Sequence, residues 1–268
     1  MVRNNQTVLI ANTLADVFYH VNSVRDLQIV GGCTAVESIN DTSLTVRNIK
    51  ELLSIEKKER FFEFGPAVTL ADILNLGKTK LPLIFYDAVS SIATPFIRNL
   101  ATLGGNICAE GQKHTLYAPL LALDARLEIR SKDETKFISL NNFSGIQRGF
   151  VLTKIRIPVE DWSIEIFKRV GPSNLITPLS ASFAFLADMQ KDILSNIKIV
   201  FAGTIIFKSH ELENKLIGTR LPLSSKTIDS LVNESEEEFV RQTEGFPYEP
   251  ILKAQFLNML RYSFEQLS

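Results

Sequence analysis

The spacing of apolar positions changes period several times along the first half of the chain. Leu14, Val17, Phe18 and Val21 share one face at helical spacing, and LQIVGG (27–32) then reads as a short buried strand ending in glycines. SLTVRNI (43–49) is expected as a second strand. FFEFGPAVTL (61–70) is β-rich and leads through Thr69, a residue type suited to cap a first turn, into a helical ADILNL. LPLIFYDAVSSI is helix-like. Leu116, Leu120, Leu121 and Leu123 suit a buried helix, after which Leu127 and Ile129 take up the two-residue period of a strand. GFVLTKIRIP (149–158) is a further strand, stopped by Pro158, which has no N–H to give a ladder.

A second region is expected from about residue 160, where IEIFKRV (164–170), SASFAFLADM (180–189) and IKIVFAGTI (197–205) read as strands. Helical periods then return. SEEEF (235–239) is a solvated helix face, and ILKAQFLNMLRYSFEQL (251–267) is a closing amphipathic helix whose aromatic residues, with those of GFPY (245–248), serve packing or a partner. No internal repeat or low-complexity linker interrupts this order.

Composition narrows the function classes. With 268 residues the chain can bury a substantial core, and 29 Lys plus Arg against 30 Asp plus Glu is the balance of an ordinary globular protein rather than a nucleic-acid binder. Two cysteines, Cys33 and Cys108, cannot supply the four ligands of an ordinary iron–sulfur cluster, so any such cluster belongs to another chain. His20, His114 and His210 lack zinc-ligand spacing, and no metal site is expected. The start, MVRNNQTVLI, has no leader-like apolar core, and no apolar run is long enough to span a bilayer; cytoplasmic residence without membrane insertion is the expectation.

The candidate chemistry lies in two glycine-centred loops, IVGGCTA (29–35) and TLGGN (102–106). Without a Cβ the backbone can turn with positive φ, and successive N–H groups can converge on an anionic oxygen. Thr102 adds a hydroxyl and Asn106 an amide. A tight turn or a close helix–strand contact accounts for a Gly-Gly pair equally well. Neither loop matches G-x-G-x-x-G or G-x-x-x-x-G-K-[ST], so a dinucleotide Rossmann site or a Walker site is not indicated. No Ser-His-Asp or paired-carboxylate arrangement stands out, and no catalytic acid, base or nucleophile is assigned.

IVGGCTA, FGPAVTLADIL (64–74), IRNLATLGGNI (97–107) and PLLALDARLEI (119–129) occur in the order and approximate spacing of a known family. The chain resembles, over essentially its whole length, the FAD-binding medium subunit of the xanthine and carbon monoxide dehydrogenases, which are molybdenum hydroxylases. The resemblance implies an α+β fold: a two-lobed FAD-binding domain of the vanillyl-alcohol-oxidase/PCMH type over 1–165, with lobes of about 1–55 and 56–165. A C-terminal α+β domain with a small antiparallel sheet and helices would follow over 166–268. It implies FAD as the cofactor. Ile29, Val30, Gly31, Gly32, Cys33, Thr34, Ala35 and Val36 would wrap the pyrophosphate, and Thr102, Leu103, Gly104, Gly105 and Asn106 would grip it from the other side. Ile92 and Leu152 would lie near the flavin, and Lys168 would stand beside the ring, stabilising negative charge on its reduced form. The plainer alternatives are core packing for Ile92 and Leu152 and a surface position for Lys168.

One interval departs from the family. Where many members have A-S-P-x-S-D after GGN, this chain reads CAEGQKHTL (108–116), and Thr115 replaces the aspartate. A neutral hydroxyl loses the charge, and Glu110, Gln112 and His114 are the residues placed to compensate. His114 otherwise reads as an exposed loop histidine, and Cys33 and Cys108 as small residues that fit. The implied function is an electron-transfer subunit that receives electrons from [2Fe–2S] clusters of a small partner subunit. Molybdopterin would be held by a large partner subunit, and FAD would pass the electrons to an acceptor, NAD among the candidates. The alternative is a subunit that keeps the fold without the flavin and serves assembly.

Overall fold

The computed structural model describes residues 6–36, 38–172 and 175–268. Residues 1–5, where the segment read for a leader begins, lie outside them. The described chain runs through β1 (Thr7–Ile10), α1 (Leu14–Ser23), β2 (Gln28–Val30), β3 (Thr42–Thr45), β4 (Ile55–Lys57) and β5 (Phe61–Phe64). Short helices α2 (Leu70–Asn75), α3 (Leu83–Ser90), α4 (Pro95–Arg98), α5 (Leu103–Ile107) and α6 (Tyr117–Ala122) follow. Then come β6 (Arg126–Arg130), β7 (Thr135–Ser139), β8 (Val151–Pro158), β9 (Ile164–Val170), β10 (Ala181–Gln190), β11 (Ile193–Ala202) and β12 (Ile206–Lys208). Helices α7 (His210–Leu216), α8 (Ser225–Thr243) and α9 (Pro250–Glu265) close the chain. None of the described helices is long and apolar enough to cross a membrane.

These elements form two compact units that interleave in sequence, one of Met1–Gly77, Thr94–Ala109 and Leu123–Val159, the other of Lys78–Ala93, Glu110–Ala122 and Glu160–Ser268. The first unit holds a small parallel sheet in the order β1-β3-β2 and an antiparallel sheet in the order β4-β5-β8-β6-β7. Its α1 starts on a capping box, in which Thr13 accepts from the Asp16 N–H and the Asp16 carboxylate accepts from the Thr13 N–H. Such a cap is worth about 1 kcal/mol. Val17 and Val21 of α1 are buried with Leu44, Ile49 and Leu52, the expected helical face, with Leu14 and Phe18 at its margin. Thr69 caps α2 by the same box with Asp72, as its residue type suggested.

In the larger sheet, β8 is central and the β6 pairing shifts register between Glu128 and Ile129. Thr153 is the extra residue there, and its hydroxyl donates to the carbonyl and the carboxylate of Glu128. The strand expected over 43–49 stops at Thr45, because the chain turns into a 3₁₀ segment over Lys50–Leu53 that buries Leu52.

The second unit is an antiparallel sheet in the order β12-β11-β10-β9 with helices on both faces. Phe183, Phe201 and Phe207 of the sheet meet Phe239 of α8 and Phe256 of α9 at ring separations of 4.6 to 6.4 Å. Truncating one such buried ring costs about 3–5 kcal/mol. The alternate residues Ala184, Leu186 and Val200 are just as buried, on the face covered by α6 and α3. This two-sided burial is why SASFAFLADM is apolar at nearly every position rather than at every second one.

Candidate functional site

The first glycine loop leaves the carboxyl end of β2, in a parallel sheet, the end at which open α/β sheets place their ligands. Val30 is buried, Gly31 and Gly32 are half-buried, and Cys33, Thr34, Ala35 and Val36 are exposed. Cys33 has φ of +53°, a left-handed conformation that costs a non-glycine residue about 1–2 kcal/mol. Among the described residues, the backbone N–H groups from Gly31 to Val36 find no protein acceptor. A row of unspent donors next to a left-handed residue is the arrangement of an anion-binding nest.

The second loop is built differently. Its residues Gly104 and Gly105 lie within α5, not in an open loop, and Thr102 is the N-cap whose hydroxyl accepts from the Gly105 N–H at 3.1 Å. The other amides are also spent: Leu103 donates to the Val68 carbonyl, Gly104 to that of Pro66 and Asn106 to that of Thr102. Leu70 donates to the Ala101 carbonyl, so the loop is stitched to residues 66–70 on both sides of its turn.

The glycines explain how the loops approach one another. A Cβ on Gly32 would collide with the carbonyl oxygen of Leu100, and one on Gly31 would lie 2.8 Å from the Thr102 hydroxyl oxygen. A Cβ on Gly104 would stand 2.6 Å from that of Pro66. Close packing therefore accounts for three of the four glycines. Gly105 is exposed and crowded only by Thr102. The structure thus brings Gly31, Gly32 and Thr102 together at one point of the first unit. Thr102 is buried, and its hydroxyl proton remains available to donate while its oxygen accepts from Gly105. Leu152, in the same unit, is buried in β8 opposite Ile129.

The remaining candidates lie in the second unit. Ile92 is half-buried just after α3, beside Ala93 at φ of +46°. Thr115 is buried and its hydroxyl accepts from Arg169 Nε at 3.3 Å. The Gln112 amide donates to the carbonyls of Thr177 and Ser180, and the Lys113 N–H to that of Gly203, so the departing interval is tied down within its own unit. His114 is half-buried rather than exposed, and burial, reinforced by the charge of Lys113, pushes its pKa below the ordinary imidazole value.

Lys168 is exposed, with its ammonium 5.5 Å from the ring centre of Tyr262 on α9. Strand alternation sets it on the side of Ile164, Ile166 and Val170, which pack against the aromatic core. Thr115 is on the opposite side, where Arg169 points and where Glu165 accepts the Ile84 N–H at the start of α3. Burial raises the Glu165 pKa, partly offset by that hydrogen bond. Sequence reading passed over Arg169. The signal was present in IEIFKRV, since apolar residues at 164, 166 and 170 assign Lys168 to the core side and Arg169 to the other.

Residues 4–160 match the family described as "FAD binding domain in molybdopterin dehydrogenase". The chain is 37% identical over 101 residues to the xanthine dehydrogenase FAD-binding subunit of Escherichia coli O157:H7, a stretch covering 37% of this chain and 34% of that protein. It is 26% identical over 191 residues to the glyceraldehyde dehydrogenase medium chain of Sulfolobus acidocaldarius, covering 68% of this chain and 67% of that one. The match thus spans about a third of the length of the Escherichia coli relative. A chain of the Cu,Mo-CO dehydrogenase, solved in a cyanide-inactivated form, superposes with a TM-score of 0.84 at 18% identity, covering 100% of this chain and 99% of that one, and so shares its fold. With more than half of its residues matched, this mixed α/β chain belongs to the family of FAD-binding domains of molybdopterin dehydrogenases.

Proposed function

We propose that the chain binds FAD as the flavoprotein subunit of a molybdenum hydroxylase, an oxidoreductase active only in complex. The observation that carries the reading is the unspent amide row from Gly31 to Val36, set at the carboxyl end of a parallel strand and flanked by the Thr102 hydroxyl. Those groups fit a pyrophosphate: they are donors without acceptors among the described residues, held in place by backbone contacts too close to admit any side chain at Gly32. Thr102 donates its proton to a phosphate oxygen while keeping Gly105 as its own donor. Leu103, Gly104 and Asn106 act behind it, fixing the threonine in position through the stitching to residues 66–70. When bound, the flavin supplies the exchange of electrons between one-electron and two-electron partners.

The finer fold belongs to the same proposal: a two-lobed PCMH-type domain over 1–165 followed by a C-terminal domain over 166–268, in a cytoplasmic enzyme. A small subunit with [2Fe–2S] clusters delivers the electrons, a large subunit holds molybdopterin, and NAD is a candidate acceptor. The relatives are named as subunits or chains of dehydrogenases, which supports this assembly.

A second reading is a flavin-free subunit that serves assembly. It is favoured by one observation, that close packing alone explains Gly31, Gly32 and Gly104. Absorbance near 450 nm decides between the two: the protein purified gently with its partners is expected to be yellow and to regain FAD after stripping. A colourless protein that takes up no FAD overturns the flavoprotein reading.

A further inference from the structure

The five-stranded sheet of the first unit has two unlike faces. Phe62, Phe64, Leu127, Ile155 and Ile157 are buried on the inner one. Glu63, Arg126, Glu128, Phe137, Lys154 and Arg156 alternate with them or stand opposite one another on the outer face. There the charges are sorted by sign. One row across the ladder reads Glu56, Glu63, Arg156, Arg126, acids on one side and bases on the other. Arginines directly opposite one another repel, whereas a solvated face intersperses its signs.

The carboxylates of this face are already engaged. Glu63 is buried and accepts from Lys154 Nζ at 3.1 Å and from Arg156 Nε at 2.6 Å. Glu128 is buried too, and its carboxylate accepts from the Thr153 hydroxyl. Over β8 and β6 the surface therefore hides its acids and presents bases, with the Lys154 and Arg156 side chains each 33% exposed and Arg126 exposed beside them. The Arg156 guanidinium lies 4.5 Å from the ring centre of Phe137 and 5.3 Å from that of Phe61, and Phe137 is itself 53% exposed. A stacked guanidinium held through Nε keeps its Nη groups for a carboxylate. Arginine beside exposed aromatic rings is also the composition concentrated at the centres of protein interfaces.

We infer that the outer face of β8, β6 and β7 docks an acidic segment of a partner subunit, through Arg126, Arg156 and Phe137. This rests on the reading of the chain as a subunit. The occupant follows from charge: the bases of the face have no acid left to answer them on it, so the complementary carboxylates come from the partner. So compact a group of cations, in a chain of net charge −1, lacks the extended basic track of a nucleic-acid binder.

The test measures the dissociation constant between the full chain and its partner subunits across a range of salt. R126E sets a carboxylate opposite Arg156, so it is expected to keep thermal stability and FAD uptake while weakening assembly about tenfold or more at low salt. Wild-type assembly is expected to weaken with salt more steeply than that of R126E. F137A is expected to weaken assembly with the wild-type salt dependence retained. In R126K, carbodiimide coupling is expected to join the new amine to an Asp or Glu of a partner subunit.

Unchanged assembly in R126E, or no partner cross-link from R126K, overturns the inference while leaving the subunit reading intact. So does a cross-link only to a second copy of this chain, or binding of a single-stranded oligonucleotide that R126E abolishes. A wild-type chain that assembles with no partner overturns the earlier reading instead.

Discussion

Gly31-Gly32 and Gly104-Gly105 are the same dipeptide in the same folding unit, yet the amides around them are used in opposite ways. After β2 the N–H groups from Gly31 to Val36 have no acceptor among the described residues. Around α5 the amides of Leu103, Gly104, Gly105 and Asn106 are all taken, by Val68, Pro66 and twice by Thr102. The first loop is therefore the one able to receive a ligand through its backbone, and the second is the buttress that fixes where the first can lie. A shared glycine motif reports close backbone approach in both places. Only hydrogen-bond accounting separates the loop whose amides lack acceptors among the described residues from the loop that braces.

The largest expected effect tests the seam between them. In Gly32→Ala the new methyl group meets the Leu100 carbonyl, and backbone cannot yield as a side-chain tip can. Overpacking of this kind costs about 3 kcal/mol at the upper end of its usual range, and the two loops must part. Thermal unfolding is expected to fall accordingly, and FAD uptake with it. Wild-type stability in this variant would mean that the loops do not need each other.

The elements themselves were largely legible in the sequence. The helical face of Val17 and Val21, the Thr69 cap, the turn from α6 into β6 and the strands β8, β9 and β10 follow from local periodicity and capping chemistry. Short edge pieces did not. β1, β4 and β12 have three or four residues each, too few to show a period, and exist because a neighbouring strand supplies their partner. The site was half legible: both glycine loops were found from composition, but the division of labour between them depends on acceptors at Pro66 and Val68 that no local pattern reveals. Thr115 was singled out because of what it lacks. Its actual partner, Arg169, lies 54 positions away.

The next effect separates bracing from binding at a single side chain. Thr102→Val removes the acceptor of the Gly105 N–H and the donor next to Gly31 while preserving shape, and loss of an N-cap oxygen costs about 1 kcal/mol. Thr102→Ser retains both functions and is expected to recover stability and FAD affinity together. Were serine to restore stability but not affinity, as measured by thermal melts and FAD titration, the threonine methyl rather than its hydroxyl would be serving the ligand.

Gly105→Ala carries the smallest expected change and the sharpest reading of the comparison. Gly105 is helical and exposed, and an added Cβ meets only the Thr102 hydroxyl oxygen at 3.0 Å. Alanine is favoured over glycine within a helix by about 1 kcal/mol; the tight contact with Thr102 works against that gain, so the net effect on stability is expected to stay within about 0.5 kcal/mol of zero. With the Gly105 amide already given to Thr102, FAD affinity is expected to change by no more than about twofold, or roughly 0.4 kcal/mol. A tenfold loss at unchanged stability would show a phosphate resting directly on the Cα of Gly105. That result would reverse the roles assigned here, because the braced loop would then limit how closely the ligand approaches, and the open amides of Gly31 to Val36 would be answering to it.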